Sequence, residues 1–327
     1  MTFAHNRRLF DVQLRAVNGS RFQPTGFPDI GAATFRRPDA ERGSVDCLIV
    51  ESAQSMANNL EAVGWDEAAQ APVPTLEGLP WVRVLAADDG RYLTSSRTEA
   101  HRLASAFVKD SVLDGVGMRE VVRERLALHE DTPLAPRSIA AAVMALDPLC
   151  LVHGVFFAEP AKVWPGQPKI ARALTGFIEA SGVEAAISGG VKREAVLHKT
   201  TEGGTAKEGY GSIPFHRTEY TAEAITASFS LDLAQLRSYG LPQSSTDLLE
   251  AIALWEIRSL LDGGLRLRTA CDLAPVDGAP TDNHGQLLPD VETLAERVRT
   301  GIAESGEVLG VGGPLDVQWS AKRAGMS

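Results

Sequence analysis

Hydrophobic and polar positions follow a helical or a strand-like period in different parts of the chain. Residues 47–51 form a short apolar run bounded by polar residues, which predicts a buried strand. Apolar side chains then recur every three or four positions, which predicts a helix that ends at Gly64. These apolar positions are Ala53, Met56, Leu60 and Val63. The opposite face carries a hydroxyl and amides, which are suited to hydrogen bonding more than to catalysis: Gln54, Ser55, Asn58 and Asn59.

The same periods predict the other elements of the chain. Strands are predicted at 81–85, 147–158, 183–187, 224–233 and 265–273. Helices are predicted at 98–130 with a break at 115–117, at 171–179, from a capping box at 247–250 to Gly263, and at 291–303. Because strands and helices mix without regular alternation or an internal repeat, we expect an α+β fold.

Length and composition indicate one large, elaborated domain. The chain has 327 residues without a clear linker, and 44% hydrophobic and 23% charged residues are ordinary for a packed globular protein. No apolar run reaches the roughly 20 residues that cross a bilayer, and the first residues lack the apolar core of a signal peptide. We therefore expect a cytoplasmic protein with no membrane partner.

Motifs for catalysis, cofactors and metals are missing from the sequence. It contains no P-loop, no dinucleotide-binding glycine fingerprint after a strand, no His-Glu-x-x-His and no close pair of cysteines. Cys47, Cys150 and Cys271 lie far apart in apolar contexts, where small buried side chains are expected. His153 is expected to be a hydrogen-bonded core residue, and Asp29 is assigned to a turn. We expect no catalytic residue, no metal site and no cofactor.

The net charge of −10 argues against nucleic-acid binding, because affinity for phosphates usually comes with a basic surface. A local positive groove can nevertheless coexist with an acidic total if basic residues cluster on one face. The distribution of charge therefore decides the matter, and several segments carry candidate donors.

The first candidate segment is the start of the helix that follows residue 51. A helix N-terminus presents unpaired N–H groups and a partial positive charge that suit a phosphate, and amide side chains bond sugar and phosphate oxygens. The candidate RNA-binding residues are Ser52, Gln54, Ser55, Asn58 and Asn59. The alternative is that Ser52 only caps the helix and the amides face solvent.

The second candidate segment is the loop at 21–26. Its proline and glycine favour a turn that holds Arg21 and Gln23 against a phosphodiester backbone, with Phe22 or Phe27 free to stack on bases. The alternative is an ordinary surface turn in which Phe22 is buried.

The third candidate segment, residues 188–217, is rich in glycine, and its five Lys or Arg residues outnumber its three Glu residues. This composition is typical of an extended hairpin, and the alternative is a surface loop with solvated lysines. The candidate RNA-binding residues are Lys192, Arg193, His198, Lys199, Lys207, His216 and Arg217.

In a later strand Arg266 and Arg268 alternate with leucines, so both project from one face, toward either RNA or surface carboxylates.

Four separated segments together resemble a known family. They are 21–33, 50–61, 147–158 and 214–272, and the second reads Val-Glu-Ser-Ala-Gln-Ser-Met-Ala-Asn-Asn-Leu-Glu. Over residues 12–273 the chain closely resembles the CRISPR-associated RAMP proteins that form the backbone of type I-U (also called I-G) Cascade complexes, the Cas-seven-like subunits. A Leu-Thr-Ser-Ser motif followed by Glu-Ala-His-Arg-Leu also resembles the family and adds Arg102 as a candidate RNA-binding or packing residue.

The resemblance implies an RRM-like (ferredoxin-like) RAMP core with helical insertions and a β-hairpin thumb. It divides the chain into a RAMP-like RNA-binding domain at 1–275 and a C-terminal extension at 276–327. Within the first part, 98–137 is an inserted helical region and 188–217 is the thumb.

The resemblance also implies a function. The chain would be a backbone subunit that binds CRISPR guide RNA, polymerises along it and presents it for pairing with target DNA. Its partners would be the guide RNA, target DNA through the guide, copies of itself in a filament, other Cascade subunits and a recruited helicase-nuclease. The alternatives are a metal-dependent ribonuclease of the same superfamily and a module that assembles without nucleic acid.

Overall fold

The computed structural model describes residues 6–26, 31–192, 213–276 and 278–321. Its strands are β1 (Arg7–Ala16), β2 (Thr34–Asp39), β3 (Gly43–Glu51), β4 (Trp65–Asp66), β5 (Ala71–Pro72), β6 (Trp81–Ala86), β7 (Tyr92–Ser95), β8 (Val112–Leu113), β9 (Val116–Gly117), β10 (Val155–Phe156), β11 (Lys169–Ile170), β12 (Leu174–Ser181), β13 (Glu184–Lys192), β14 (Ile213–Thr221), β15 (Ala224–Asp232), β16 (Leu265–Arg268), β17 (Cys271–Pro275) and β18 (Pro314–Trp319). Its helices are α1 (Ala53–Ala62), α2 (Ala106–Lys109), α3 (Met118–Arg125), α4 (Pro136–Leu146), α5 (Leu149–His153), α6 (Leu233–Ser238), α7 (Gln243–Gly263), α8 (Val291–Glu304) and α9 (Gly306–Leu309). Short 3-10 turns lie at Pro74–Leu76 and Arg102–Ala104. Within these described ranges no helix combines the length and the apolar character needed to cross a membrane.

A seven-stranded sheet with the order β16-β17-β1-β15-β12-β3-β2 forms the centre of the fold. Every neighbouring pair of its strands is antiparallel. Strands β1, β12, β15 and β17, with α1 between β1 and β12 and α7 between β15 and β17, have the connectivity of a ferredoxin-like βαββαβ unit. The predicted α+β class with a ferredoxin-like core is therefore confirmed.

Alternating burial explains why the central strands form. In β1 the side chains of Phe10, Val12 and Leu14 enter the core while the residues between them face outward, and β12 and β15 alternate in the same way. Helix α1 packs against β12, and α7 packs against β15. Gly176 permits the close approach of α1, because a Cβ at this position would lie 2.9 Å from the Met56 side chain.

A smaller, five-stranded sheet has the order β7-β6-β18-β8-β9. Its strand β18 runs parallel to β6, and the Asp316 carboxylate accepts a hydrogen bond from Arg83 at 2.7 Å. The chain after residue 275 thus completes a sheet whose other strands come from 81–117, and α8 packs against α7. The division into domains at residue 275 stays a prediction.

The predicted strand at 147–158 is wrong over most of its length. Residues 149–153 form helix α5, and the only strand in this stretch is the short β10. The Asp147 carboxylate accepts the N–H of Leu149 at 3.1 Å, and Gly154 ends the helix with a φ of 81°. A capping aspartate and a terminal glycine are helix signals that outweigh the apolar character of the run.

Other predicted elements change type or boundary. The predicted helix at 171–179 is strand β12, in which small residues at two buried positions obscure the two-residue period. The predicted strand at 265–273 is the hairpin β16–β17, which turns at residues 269 and 270. Helix α7 begins at Gln243, directly after Pro242 and one turn before the predicted cap at Asp247. The predicted break at 115–117 is the β8–β9 hairpin between α2 and α3.

The two strands of the predicted hairpin are present as the antiparallel pair β13 and β14. β13 and β14 pair from Glu184 opposite Thr221 to Lys192 opposite Ile213, and they form a ribbon separate from the two larger sheets. Residues 193–212 lie outside the described residues, and with them four of the predicted RNA-binding side chains: Arg193, His198, Lys199 and Lys207.

A group of ion pairs lies buried near the C-terminal ends of α1 and α5 and the middle of α7, and we call it the buried ion-pair group. Its members are Arg97–Asp147 at 3.1 Å, Arg102–Glu61 at 2.5 Å and His153–Glu256 at 2.8 Å. Each of these side chains is less than a tenth exposed. His153 is thus a hydrogen-bonded core residue, as predicted from its apolar surroundings.

Candidate nucleic-acid interface

The loop at 21–26 brings together segments that are distant in the sequence. Phe22 exchanges backbone hydrogen bonds with Tyr220 of β14 at 2.9 and 2.7 Å. Gln23 donates its backbone N–H to the turn between β16 and β17 at 2.7 Å, and Thr25 donates its N–H to Val50 of β3 at 2.9 Å. The loop, the start of α1, the base of the β13–β14 hairpin and the β16–β17 hairpin therefore meet at one place.

The N-terminus of α1 lies at this meeting point. The Ser52 hydroxyl accepts the N–H of Ser55 at 3.3 Å, so Ser52 caps the helix. The first N–H groups of a helix have no acceptor inside it, so the cap leaves those of Ala53 and Gln54 for an external acceptor. The Gln54 side chain is exposed beside them. This end of the helix can donate to an anion through two backbone groups and an amide.

Glu51 lies buried directly before the helix, with 1% of its surface exposed. Burial raises the pKa of its carboxyl group, although the hydroxyl groups of Ser55 and Thr25 and the backbone N–H of Ser52 favour the charged form. One carboxyl oxygen has no hydrogen-bond partner among the described residues.

Two arginines at the base of the hairpin share one carboxylate. Arg21 of the loop and Arg217 of β14 approach Glu219 at 3.1 and 3.5 Å. Glu219 is mostly buried, whereas the two arginine side chains are about half exposed, at 56% and 45%. The shared carboxylate orients both guanidinium groups and leaves an excess of positive charge at the surface.

The β16 strand adds Arg268 to the same place and carries the exposed Arg266 two residues before it. Arg268 donates to the Pro24 carbonyl at 3.0 Å, which ties β16 to the loop. Arg266 is exposed and lies opposite Asp272 in the strand register. A bulge separates Arg266 from Arg268, so the simple alternation predicted for the two arginines is interrupted. Neither arginine forms an ion pair with any residue in the described ranges.

The structure places other predicted residues away from this meeting point. Asn58 lines a separate cavity of about 300 Å³ together with Glu61 and Trp65, and Asn59 donates to the Ser55 carbonyl at 3.3 Å. Phe22 is 1% exposed, so it packs in the core and is not available to stack on bases. Of the two interpretations of the 21–26 loop, the one in which Phe22 is buried is therefore correct for the Phe22 side chain.

Arg102 requires a correction. It was a candidate RNA-binding residue, but its side chain is buried and donates to both Glu61 oxygens at 2.6 and 2.5 Å and to the Gly154 carbonyl at 3.1 Å. These bonds satisfy the guanidinium group inside the fold. The sequence analysis left Arg102 as either an RNA-binding or a packing residue, and the structure supports the packing role.

Several predicted positions have no described side chain. Lys192 ends β13 and His216 lies in β14, so the backbone of each is placed at the hairpin. Phe27 and Asp29 lie outside the described residues. The RNA-binding assignment of the full set of residues stays a prediction.

Sequence analysis missed three residues that shape this interface. Thr25 and Glu51 connect the loop to the helix, and Glu219 orients the two arginines. Glu219 lies two residues after Arg217 in a strand, where side chains share a face, so strand spacing could have found it. Thr25 and Glu51 are brought together only by the tertiary fold. In the part of the chain that the structure describes, no three His, Cys, Asp or Glu side chains are grouped to hold a metal.

Comparison with known proteins places the chain in a family. Residues 9–185, more than half of the sequence, match the family described as CRISPR-associated protein GSU0053. The chain belongs to this CRISPR-associated family. The matched range includes the 21–26 loop and α1, and it ends within β13. The predicted resemblance to CRISPR-associated proteins is thereby confirmed.

Two further comparisons add little to this assignment. One solved structure is a chain of a "CRISPR RNA-guided surveillance complex, pre-nicking", with 13% sequence identity, a TM-score of 0.37, and coverage of 82% of this chain and 76% of that one. No curated protein matches the chain.

Proposed function

We propose that this member of the CRISPR-associated family is the guide-RNA-binding backbone subunit of a type I Cascade complex, of the I-G (I-U) type. In this proposal it polymerises along the guide RNA and presents it for pairing with target DNA. The observation that carries the proposal is the convergence of the 21–26 loop, the α1 N-terminus, the hairpin base and β16. All four contain candidate RNA-binding residues.

The donors at this interface suit a sugar-phosphate backbone. The N–H groups of Ala53 and Gln54 and the Gln54 amide can donate hydrogen bonds to a phosphate, and Arg266 and Arg217 supply exposed positive charge. Such contacts position a strand without reading its sequence, so the bases stay free to pair. Donation from neutral groups is also compatible with a net charge of −10.

The other partners follow from the same proposal. Copies of the chain, the other Cascade subunits and target DNA paired to the guide would surround the interface, with a recruited helicase-nuclease carrying out cleavage.

The first test measures whether the full chain retains RNA. Fluorescence anisotropy with a labelled single-stranded guide RNA, at several salt concentrations, should show binding that weakens as salt rises, because phosphate contacts release counterions. The RNA should remain intact after incubation with Mg²⁺. Binding that is absent at moderate salt, even with all companion subunits present, would refute the proposal, and RNA cleavage would favour the ribonuclease alternative.

The hairpin gives a second test. Replacing Lys192, Arg193 and Lys199 with alanine should weaken guide RNA binding and reduce its salt dependence. Arg299→Ala on α8 is a matched control, since Arg299 is 47% exposed and far from these residues in the sequence. Equal affinities and equal salt dependence in the triple variant and the wild type would remove the hairpin from the interface.

A further inference from the structure

A second basic surface lies on another side of the α1 N-terminus. It is an open cleft of about 710 Å³ between the Arg102–Ala104 turn with α2 and the β10–β11 pair. We call it the Phe156 cleft, and its defining side chains are Arg102, Lys109, Phe156, Lys169 and Arg172. None of the candidate RNA-binding residues predicted from the sequence lines it except Arg102.

The cations of the Phe156 cleft fall into two kinds. Arg102 is paired with Glu61, and Lys109 is paired with Glu159 at 2.8 Å. Lys169 and Arg172 form no ion pair with a carboxylate in the described part of the chain. The cleft therefore carries an excess of positive charge that the described residues do not neutralise.

Arg172 is held in place although it forms no ion pair with a carboxylate among the residues that the structure describes. Its guanidinium group is partly buried and donates to the Ala53 carbonyl in the first turn of α1 at 3.0 Å. Burial, followed by the nearby positive charge of Arg102, lowers the pKa of Arg172. An anion in the cleft would relieve both effects, because it would compensate the positive charge that the fold confines there.

Phe156 supplies an apolar face beside these cations. It is 48% exposed and pairs across the strands with Lys169. The Lys169 ammonium group lies 5.8 Å from the centre of the Phe156 ring. An exposed ring flanked by cations is the arrangement that proteins use to stack a base while holding its phosphate.

We propose that the Phe156 cleft binds one nucleotide unit of single-stranded RNA, with its base against Phe156 and its phosphate between Lys169 and Arg172. The inference rests on the proposed function and extends it. The bond from Arg172 to Ala53 places the cleft next to the helix terminus of the interface, so one strand can pass from the α1 N-terminus into the cleft. Each subunit would then hold the strand at two places.

The test uses the full chain and two kinds of variant with different expected signatures. In anisotropy titrations with labelled oligouridine, Phe156→Ala should weaken binding about tenfold at every salt concentration, because stacking does not release counterions. Lys169→Ala and Arg172→Gln should each lower the slope of log affinity against log salt by about 0.7, the value for one phosphate contact on a single strand. Lys162→Ala, an exposed lysine outside the cleft, is the matched control and should leave affinity and slope unchanged.

The outcomes separate the two proposals. If the wild type does not bind RNA, the proposed function fails together with the cleft. If the wild type binds and the three cleft variants behave like Lys162→Ala, only the cleft inference is overturned. Variants that bind RNA normally but lose companion subunits during purification would show that the cleft contacts protein. This outcome would also overturn the inference that the cleft binds RNA. Circular-dichroism melting of every variant establishes that a change in affinity is not caused by unfolding.

Discussion

Two groups of basic side chains in this protein have opposite surroundings. In the buried ion-pair group, Arg97 and Arg102 each face a carboxylate and have little contact with water. Near the surface, Arg172 and Arg268 donate to carbonyl oxygens and form no ion pair with a described carboxylate. The charges of the first group are paired within the fold, whereas the second keeps donors for an external anion. The partner of an arginine, more than its presence, separates a structural role from a binding role.

Arg102→Ala should have the largest effect, and the effect should be on stability. Removing this side chain leaves the Glu61 carboxylate buried without its partner, and an uncompensated buried charge typically costs about 3–5 kcal/mol. The free energy of unfolding, measured by urea denaturation, should fall by about this amount.

The matched comparison for Arg102 is Glu61→Gln combined with Arg102→Met, which removes both charges. This double variant should recover part of the lost stability, since a buried ion pair replaced by uncharged groups is often close to neutral. A single Arg102→Ala variant with wild-type stability but weakened RNA binding would contradict the structural role and restore Arg102 to the interface.

The His153–Glu256 pair should make stability depend on pH. Burial disfavours the charged imidazole, but the facing Glu256 carboxylate outweighs burial and raises the pKa of His153. Burial also raises the pKa of Glu256, so the folded pair holds its proton to higher pH than the unfolded chain does. The His153 contribution is complete below its unfolded pKa of about 6.5 and is lost as pH rises through the folded pKa.

Urea denaturation at a series of pH values measures this dependence. The wild type should lose stability from near neutral to alkaline pH, and the double variant His153→Gln with Glu256→Gln should lose less over the same range because neither side chain titrates. The difference between the two curves should therefore change as pH rises. Parallel curves would show that other groups cause the pH dependence.

Local sequence signals predicted those parts of the fold in which burial follows a clear period. The strand at 47–51 was predicted from a continuous apolar run. The helices α1 and α8 were predicted from helical patterning of their apolar side chains. The alternation in β1 is equally clear, and that strand was missed although the signal is present in Phe10, Val12 and Leu14. In β12 the signal is weak, because a glycine and an alanine occupy two of its buried positions, and the approach of α1 keeps the glycine position small.

The composition of the candidate interface was partly predictable, but its geometry was not. Polar positions on α1 and the arginines of β16 were identified from spacing, and the structure brings Ser52, Gln54 and Arg268 to the same place. The internal partner of Arg102 could not be found in this way, since Glu61 is distant in the sequence. The neighbours of Arg172 are likewise set by the tertiary fold, so the Phe156 cleft had no sequence signal.

Arg266→Ala should have the smallest effect on stability and therefore gives the sharpest test of whether an exposed arginine, with no carboxylate partner among the described residues, binds RNA. Arg266 is exposed and forms no ion pair with a described residue, so the free energy of unfolding should change by no more than about 0.5 kcal/mol. If Arg266 contacts a phosphate, the slope of log affinity against log salt should nevertheless fall by about 0.7.

Arg15→Ala on the outward face of β1 is the control for Arg266→Ala, because it removes an exposed arginine from the same sheet. The control should leave both stability and the salt slope unchanged. A lower slope in both variants would mean that RNA responds to the total charge of the protein, and the interface at β16 would lose its support. A lower slope in Arg266→Ala alone would establish that an arginine with no carboxylate partner in the described fold serves binding while Arg102 serves folding.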